Sequence, residues 1–407
     1  MENLYKQETD LALSPITVIE EAARCLLCED APCSAACPAQ TDPARFIRAL
    51  RFRNIKGAAE IIRENNILGG ICARVCPTEK YCQSGCNRCG IDKPIDIGKL
   101  QRYITDYESA IDFKALKAVE PVNGRIAVIG SGPAGLAAAA ELAKAAYEVT
   151  VFEKKDRIGG WLAYGIPEYR LSYEVIDKEI GYIKDLGVKF VTGKEIKSLD
   201  ELNGFDATVI ATGFSKGASL PAFENNDKVE IAADFLSRVK DCGGNTEIEE
   251  KVLVVGGGDV AMDVALTAKK LGAKCIKVVA RESFDIFPAS KKELNEVRSF
   301  DISVIDGFTP DTVDGDTVVF KSTVDDSSLT VKADKIILAI GQKNDIDFAS
   351  LNIALTDRGL IANDSYKTNI DGVFAAGDII DGDKSVVYAV KTGKEAAKAV
   401  IDYLGGK

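Results

Sequence analysis

Nine of the eleven cysteines in this 407-residue chain fall before residue 90. Cys25, Cys28, Cys33 and Cys37 follow the pattern C-x2-C-x4-C-x3-C-P. Cys72, Cys76, Cys82 and Cys86 follow C-x3-C-P-x4-C-x3-C, and Cys89 comes just after. Thiolates so closely spaced hold metal or carry redox chemistry. Eight of them would complete two four-ligand sites, so at least one of the nine is spare. The chain contains no histidine at all. That removes Ser-His-Asp hydrolysis, His-ligated haem, zinc proteases and any imidazole acid/base step. The chemistry left is that of thiolates or of a bound cofactor.

The bulk properties narrow the setting. The formal charge is −11 with no Lys/Arg-rich block, so no basic footprint for a nucleic acid is visible. No apolar run approaches the ~20 residues that span a bilayer. The polar start, MENLYKQETDLALSP, is no secretory signal. A cytoplasmic protein with neither a membrane nor a nucleic-acid partner is expected. In a reducing compartment the cysteines do not form a disulfide framework. Structural zinc accepts four thiolates. The two Cys-Pro pairs instead resemble ferredoxin loops, where the Cys before Pro serves a different cluster from its neighbours. Iron–sulfur is the stronger reading, because the rest of the chain reads as a flavoprotein able to split a hydride pair into single electrons.

The elements that must position these groups follow from periodicity. Phe46, Ile47, Leu50, Ala58, Ile61 and Ile62 lie at helical spacing, and Gly69 and Gly70 read as the end of that run. A second helix, PIDIGKLQRYITDYESAI, leads to a linker, KAVEPVNG. From Arg125 the texture changes to strand, glycine turn, alanine-rich helix and strand, an order repeated from Lys251. Each copy is followed by an apolar strand closing on glycine, ATVIATG and KIILAIG. The chain is therefore an internal duplication, with a small β-meander, DTVVFKSTVDDSSLTVKADK, before the second closing strand. The fold class is α/β: an N-terminal helical iron–sulfur domain (1–118), then two Rossmann-like domains. The second of these (250–340) is inserted between two parts of the first (119–249 and 341–407).

In the first copy Gly130, Gly132 and Gly135 form G-x-G-x-x-G between a strand and a helix. This turn, with Ser131, Pro133 and Ala134, lets backbone amides reach a pyrophosphate at a helix N-terminus. Glu153 ends the next strand, where a carboxylate meets ribose hydroxyls. The second copy carries Gly256, Gly258 and Ala261 around Asp259 and Val260, with Ala339 and Gly341 on its closing strand. Its acid position reads Arg281-Glu282. A carboxylate about 5 Å from a 2′-phosphate, at an effective dielectric near 20, opposes it by on the order of 3 kcal/mol, less where solvent screens it. NADH is expected over NADPH. The segment GVFAAGD, ending in Gly377-Asp378, resembles the signature that pyridine nucleotide–disulfide-reductase-type flavoproteins place over the ribityl chain. That makes the first site FAD and the second NAD(H). Hydride passes between stacked rings, which needs no side-chain acid or base. Thioredoxin reductases share this double fold but carry a redox Cys-x-x-Cys beside the flavin. Here only Cys242 and Cys275 remain in that part, far apart in sequence.

Taken together, CLLCEDAPCSAACP, NILGGICARVCPTEKYCQSGCNR, PIDIGKLQRY, VIGSGPAGLAAA, GGWLAYGIPEYRL, GGGDVAMDVA and GVFAAGD span nearly the whole chain. They resemble the glutamate-synthase small-subunit superfamily. Within it, FPASKKE, DGFTP, DKIILAIGQ and DGDKSVVYAVKTGKEAA are most similar to the FAD and iron–sulfur subunit of bacterial NAD-dependent dihydropyrimidine dehydrogenase. The resemblance implies one 4Fe–4S cluster on Cys25, Cys28, Cys33 and Cys86. It implies a second on Cys37, Cys76, Cys82 and the amide of Gln101 in IGKLQ. Counting thiols alone would have chosen Cys72 or Cys89 over Gln101. The loop between Cys86 and that glutamine is one residue shorter than in the animal enzyme. For the flavin the resemblance adds Gly160, Trp161, Arg170 and Val386, although Trp161 also reads as an ordinary core or interface aromatic. It implies a partner subunit, an FMN-bearing β/α barrel with further clusters, that reduces uracil or thymine in a hetero-oligomer. Two other readings stand beside it: an NAD(P)H-oxidising small subunit for glutamate synthase or a ferredoxin- or sulfur-linked acceptor, and a zinc-binding flavoprotein scaffold.

Overall fold

The computed structural model describes residues 3–344, 346, 348 and 351–405, which form two compact units. Of the described residues, one unit comprises 10–163, 170–213, 346, 348 and 351–405; the other comprises 3–9, 164–169 and 214–344.

The first unit opens with helices α1 (Thr17–Ala23), α2 (Pro32–Ala35), α3 (Pro43–Arg51), α4 (Ile55–Asn65), α5 (Gly69–Val75) and α6 (Ile97–Ala110). Side chains cap three of them: Asp42 accepts the Arg45 amide, Asn54 that of Gly57 and Asp96 that of Lys99. Such caps satisfy amides that the helix itself leaves orphaned. Phe46, Ile47 and Leu50 of α3, Ala58, Ala59 and Ile62 of α4 and Leu100 and Ile104 of α6 face inward with Val18 and Ala22 to make one core. Gly69 and Gly70 do not end a helix, as their type suggested; they begin α5. The reason is steric and electrostatic. The Glu179 carboxylate accepts the Gly70 and Ile71 amides at 3.0 and 3.3 Å. A Cβ on Gly70 would sit 2.8 Å from that same carboxylate.

The same unit holds a parallel sheet of β1 (Arg125–Ile129), β2 (Glu148–Phe152), β3 (Lys189–Val191), β4 (Ala207–Ile210) and the last strand, Val373–Ala375. Their order is last strand, β4, β1, β2, β3. Helices α7 (Pro133–Lys144), α8 (Trp161–Tyr164) and α9 (Tyr173–Asp185) and the C-terminal helix Val386–Gly405 complete it. Small residues let α7 and the C-terminal helix meet closely: a Cβ on Gly393 would lie 2.2 Å from the Ala134 carbonyl oxygen.

The second unit repeats this arrangement. Its elements are β5 (Lys216–Gly217), β6 (Val229–Ile231), α10 (Ala232–Asp241), β7 (Lys251–Val255), α11 (Asp259–Lys270), β8 (Cys275–Val279), α12 (Lys291–Ser299) and β9 (Ser303–Ile305). They continue with β10 (Phe308–Asp314), β11 (Thr317–Ser322), β12 (Ser328–Lys332), β13 (Lys335–Leu338) and β14 (Gln342–Lys343). The parallel sheet runs β6-β13-β7-β8-β9, so β7 occupies the place of β1. The expected meander is the antiparallel sheet β10-β11-β12. Because β6 pairs with β13, residues 214–249 pack with this unit. The helical segment and the first dinucleotide fold, separate domains by sequence texture, form a single compact unit.

Candidate functional site

Cys25 follows α1, Cys28 sits in the next loop, Cys33 lies on α2, and Cys86 precedes the short turn Asn87–Gly90. Leu27, between the first two, takes φ = 53°, which turns the loop back on itself. All four thiols line one cavity with Ile47 and Ile97. Burial pushes the Cys33 thiol up to about 11, and the neighbouring Cys86 and Cys25 push the same way. The Cys25 thiol is raised for the same reasons. Thiols in that state give up their protons to a metal, not to water.

A second group gathers around α5. Burial raises Cys72 and Cys82 to about 12, and the Cys37 thiol adds to both. Cys76 is raised by burial and then by Cys72, Cys82 and Cys37. The structure therefore brings Cys72 into the company of Cys37, Cys76 and Cys82. It also brings Gln101. The Gln101 amide nitrogen donates to the Gly69 carbonyl at 2.6 Å, at the start of α5. Its amide oxygen accepts no hydrogen bond among the described residues. Cys89 is exposed and donates to the Gln83 carbonyl at 3.6 Å. Among the described residues no three Cys, Asp or Glu side chains are set as ligands of one ion would be. A 4Fe–4S cubane asks for a wider ring, each thiolate on its own iron, and thiols around a cavity fit it.

Three contacts tie the second group to the flavin-type fold, and composition gave no signal for any of them. Arg63, fully buried, lies 2.7 Å from Glu108 and 2.5 Å from Glu179, beneath the Tyr182 ring at 4.5 Å. Burial opposes its charge, but Glu179 and Glu108 outweigh that and hold it protonated. Tyr81, beside Cys82, donates to Asp383, which Lys80 also meets at 2.5 Å. Lys394 of the C-terminal helix donates to the carbonyls of Ala39 and Asn65.

At the first glycine turn, Gly130 has φ = 99°, and a Cβ there would lie 2.5 Å from the Ala211 carbonyl oxygen. Gly132 has open space around it. Pro133, Ala134 and Gly135 start α7, so amides at its N-terminus face that space. Glu153 is nearly buried, and one carboxylate oxygen accepts both the Ser131 amide (3.0 Å) and the Ser131 hydroxyl (2.5 Å). The other takes the Lys155 amide at 2.9 Å. The acid thus braces the turn itself. Gly160, at φ = 55°, packs on Gly132, and Trp161 opens α8 directly after it. Arg170 belongs to the same unit. The Gly377 amide donates to the Thr392 hydroxyl at 3.0 Å, and a Cβ on Gly377 would meet Ala134. Burial raises the Asp378 carboxyl, and Lys384 opposes that rise. Val386 begins the C-terminal helix.

The second turn repeats the geometry within its own unit. Gly256 has φ = 137°, with the Ala339 carbonyl oxygen 2.2 Å from where a Cβ would be. Gly258 is open, Val260 and Ala261 continue α11, and Asp259 accepts the Ser290 amide at 2.8 Å. Gly341 has φ = 112° beyond β13. The Arg281 guanidinium pairs with Glu282 at 2.9 Å, Arg281 being mostly exposed and Glu282 mostly covered. Cys242 and Cys275 are free thiols at the end of α10 and the start of β8.

Such a fold, with two open glycine turns and a ring of thiols, is that of an iron–sulfur flavoprotein oxidoreductase. Residues 124–393 match the pyridine nucleotide-disulphide oxidoreductase family, which binds FAD and NAD(P). Residues 2–112 match dihydropyrimidine dehydrogenase domain II, a 4Fe-4S cluster domain. Over 407 residues the chain is 52% identical to the NAD-dependent dihydropyrimidine dehydrogenase subunit PreT of Escherichia coli O157:H7, covering 99% of this chain and 98% of that one. It is 51% identical, with the same coverage, to the subunit of that name in Escherichia coli K12. The glutamate synthase [NADPH] small chain of Azospirillum brasilense is 31% identical over 95% of this chain and 89% of its own. The chain belongs to the family of PreT-type dihydropyrimidine dehydrogenase subunits. Among solved structures, the thioredoxin reductase of T. acidophilum aligns at TM-score 0.55 and 20% identity, over 68% of this chain and 97% of that one. Mycobacterium tuberculosis FprA aligns at 0.59 and 16%, over 70% and 85%. These two speak for the fold alone. No helix among the described residues is long and apolar enough to cross a membrane.

Proposed function

We propose that this chain is the electron-input subunit of an NAD-dependent dihydropyrimidine dehydrogenase in the cytoplasm. It takes a hydride from NADH and delivers two single electrons to a partner subunit, which reduces uracil or thymine at FMN, reversibly. FAD supplies the two-electron to one-electron conversion, and two 4Fe–4S clusters supply the one-electron relay.

The chain's own residues bind, orient and insulate. The turn at Gly130–Gly135 offers amides to the FAD pyrophosphate, and Glu153 holds that turn shut through Ser131. Gly377 and Asp378 lie over the start of α7, with Trp161, Arg170 and Val386 as the flavin's remaining neighbours. Gly256, Gly258 and Ala261 do the same for NADH, and Glu282 disfavours a 2′-phosphate while cancelling the charge of Arg281. Cys25, Cys28, Cys33 and Cys86 hold one cluster. Cys37, Cys76, Cys82 and the Gln101 amide oxygen hold the other, with Cys72 as a buried neighbour.

The observation that carries this reading is that the thiol-bearing helices and the flavin-type fold are one packed unit, joined through Arg63, Glu108 and Glu179. A relay needs that fixed proximity. The 31% relative that serves glutamate synthase is the runner-up, and the covered Glu282 speaks against its NADPH. The test is anaerobic isolation of the complex from its native host through this chain, followed by assay for NADH-dependent uracil reduction. Activity with an FMN and iron–sulfur partner supports the proposal. A large amidotransferase as partner, with glutamate formed instead, overturns it.

A further inference from the structure

The chain as a whole is acidic, yet helix α3 turns a basic face to solvent. Arg45, Arg48, Arg51 and Arg53 are all exposed. Their spacing puts Arg45, Arg48 and Phe52 opposite the buried side of α3, which is formed by Phe46, Ile47 and Leu50. Phe52, 74% exposed, stands among the arginines as the helix ends. Among the described residues Arg48 and Arg53 make no ion pair or hydrogen bond, and Arg45 reaches only its own cap, Asp42, at 3.7 Å. A run of like charges kept unpaired around a bare aromatic ring repels itself and exposes apolar surface. Neither contributes to the stability of the free chain.

The place of this face in the unit is informative. Ile47 and Ala44 on the buried side of α3 line the cavity that holds Cys25, Cys28, Cys33 and Cys86. The Arg51 guanidinium donates to the Cys25 carbonyl at 3.2 Å, and Leu26, exposed, lies in the same cysteine loop. The basic face is thus the outer wall of the first thiol group. The second group, by contrast, packs inward through Tyr81 and Lys394.

From this, and resting on the function proposed above, we infer that the Arg45–Arg48–Arg53 face with Phe52 at its centre docks an acidic surface of the electron-accepting subunit beside the first thiol group. Complementary charge would steer the encounter and set register, and the aromatic ring would give the contact a desolvated centre. Arginine and phenylalanine at the core with charge at the rim is the composition such interfaces favour.

The experiment uses the complex of this chain with its FMN and iron–sulfur partner subunit. Association and NADH-driven turnover are measured from about 0.02 to 0.5 M salt, where screening shortens from beyond 20 Å to a few ångströms. Two variants are compared: the charge reversal R48E/R53E, and Phe52→Ala. Both sites are exposed, and neither touches a thiol or a glycine turn. Iron content and NADH-driven bleaching of the flavin in the variant chains should match the unsubstituted chain. The expected result is an affinity for the partner that falls with salt, and is lowered about ten-fold or more by R48E/R53E. Association and turnover unchanged by both variants, or independent of salt in the unsubstituted complex, overturns the inference alone. An unsubstituted chain that binds no such partner overturns the proposed function, and this inference with it.

Discussion

Single atoms decide much of this molecule's behaviour. At Gly256 both φ = 137° and the Ala339 carbonyl 2.2 Å from a would-be Cβ forbid a side chain. Gly256→Ala should therefore abolish NADH-driven flavin reduction while the flavin still bleaches with dithionite; stopped-flow traces with each reductant check this. At the ribose end, Glu282→Arg should raise use of NADPH relative to NADH by about ten-fold or more, given on the order of 3 kcal/mol before screening. An unchanged ratio would show that Glu282 does not face the coenzyme. For the second cluster, Gln101→Ala should lower the iron content toward one cluster per chain and Cys72→Ser should not. The reverse pattern would assign the ligand to Cys72. Sequence spacing gave the two cysteine groups and both glycine turns as candidates, because each is a local pattern in which type and interval carry the chemistry, whereas the division of the thiols between two clusters is what the family resemblance implies. Spacing alone favoured Cys72 or Cys89 over Gln101, because it cannot see that Cys89 is exposed while Cys72 and Gln101 both approach the second group where α5 packs against α6. Nor did it give any sign that Glu153 turns inward onto Ser131, a contact across 22 residues.

At the scale of elements, the chain turns on how α5 is held. Its N-terminal amides are satisfied by Glu179 from α9, and Glu179 is in turn neutralised by Arg63 from α4. Removing one partner of a buried ion pair strands the others at a cost of roughly 3–5 kcal/mol. Arg63→Met should lower stability by about that amount in urea unfolding of the anaerobic protein. Lys114→Ala, which loses an exposed pair with Asp185, should cost at most about 1 kcal/mol. Equal effects would mean that the buried cluster does not hold α5 in place. The glycine pair at 69–70 was misleading for a physical reason. Glycine commonly ends helices by adopting positive φ, yet here Gly70 is required because Glu179 leaves no room for a side chain. That constraint comes from a residue more than a hundred positions away, outside the reach of any local pattern.

For the whole molecule, the duplicated strand-turn-helix order was legible from the sequence, and the two parallel sheets β4-β1-β2-β3 and β13-β7-β8-β9 repeat one another. A change of composition near residue 118 reads as a domain boundary. Arg63, Tyr81 and Lys394 nevertheless pack the helical segment and the flavin-type fold into one unit. Residues 214–249 join the other unit because β6 completes its sheet. This arrangement implies that reducing equivalents entering at the flavin reach the thiol groups within the chain, without a partner. The measurement that tests this most directly is an anaerobic titration of the purified chain with NADH, following flavin absorbance and the low-temperature electron paramagnetic resonance spectrum. The account predicts about eight irons per chain, flavin bleaching on NADH addition, and reduced iron–sulfur signals that grow with it. A flavin that bleaches while the iron stays silent, or a yellow chain without iron, would contradict it.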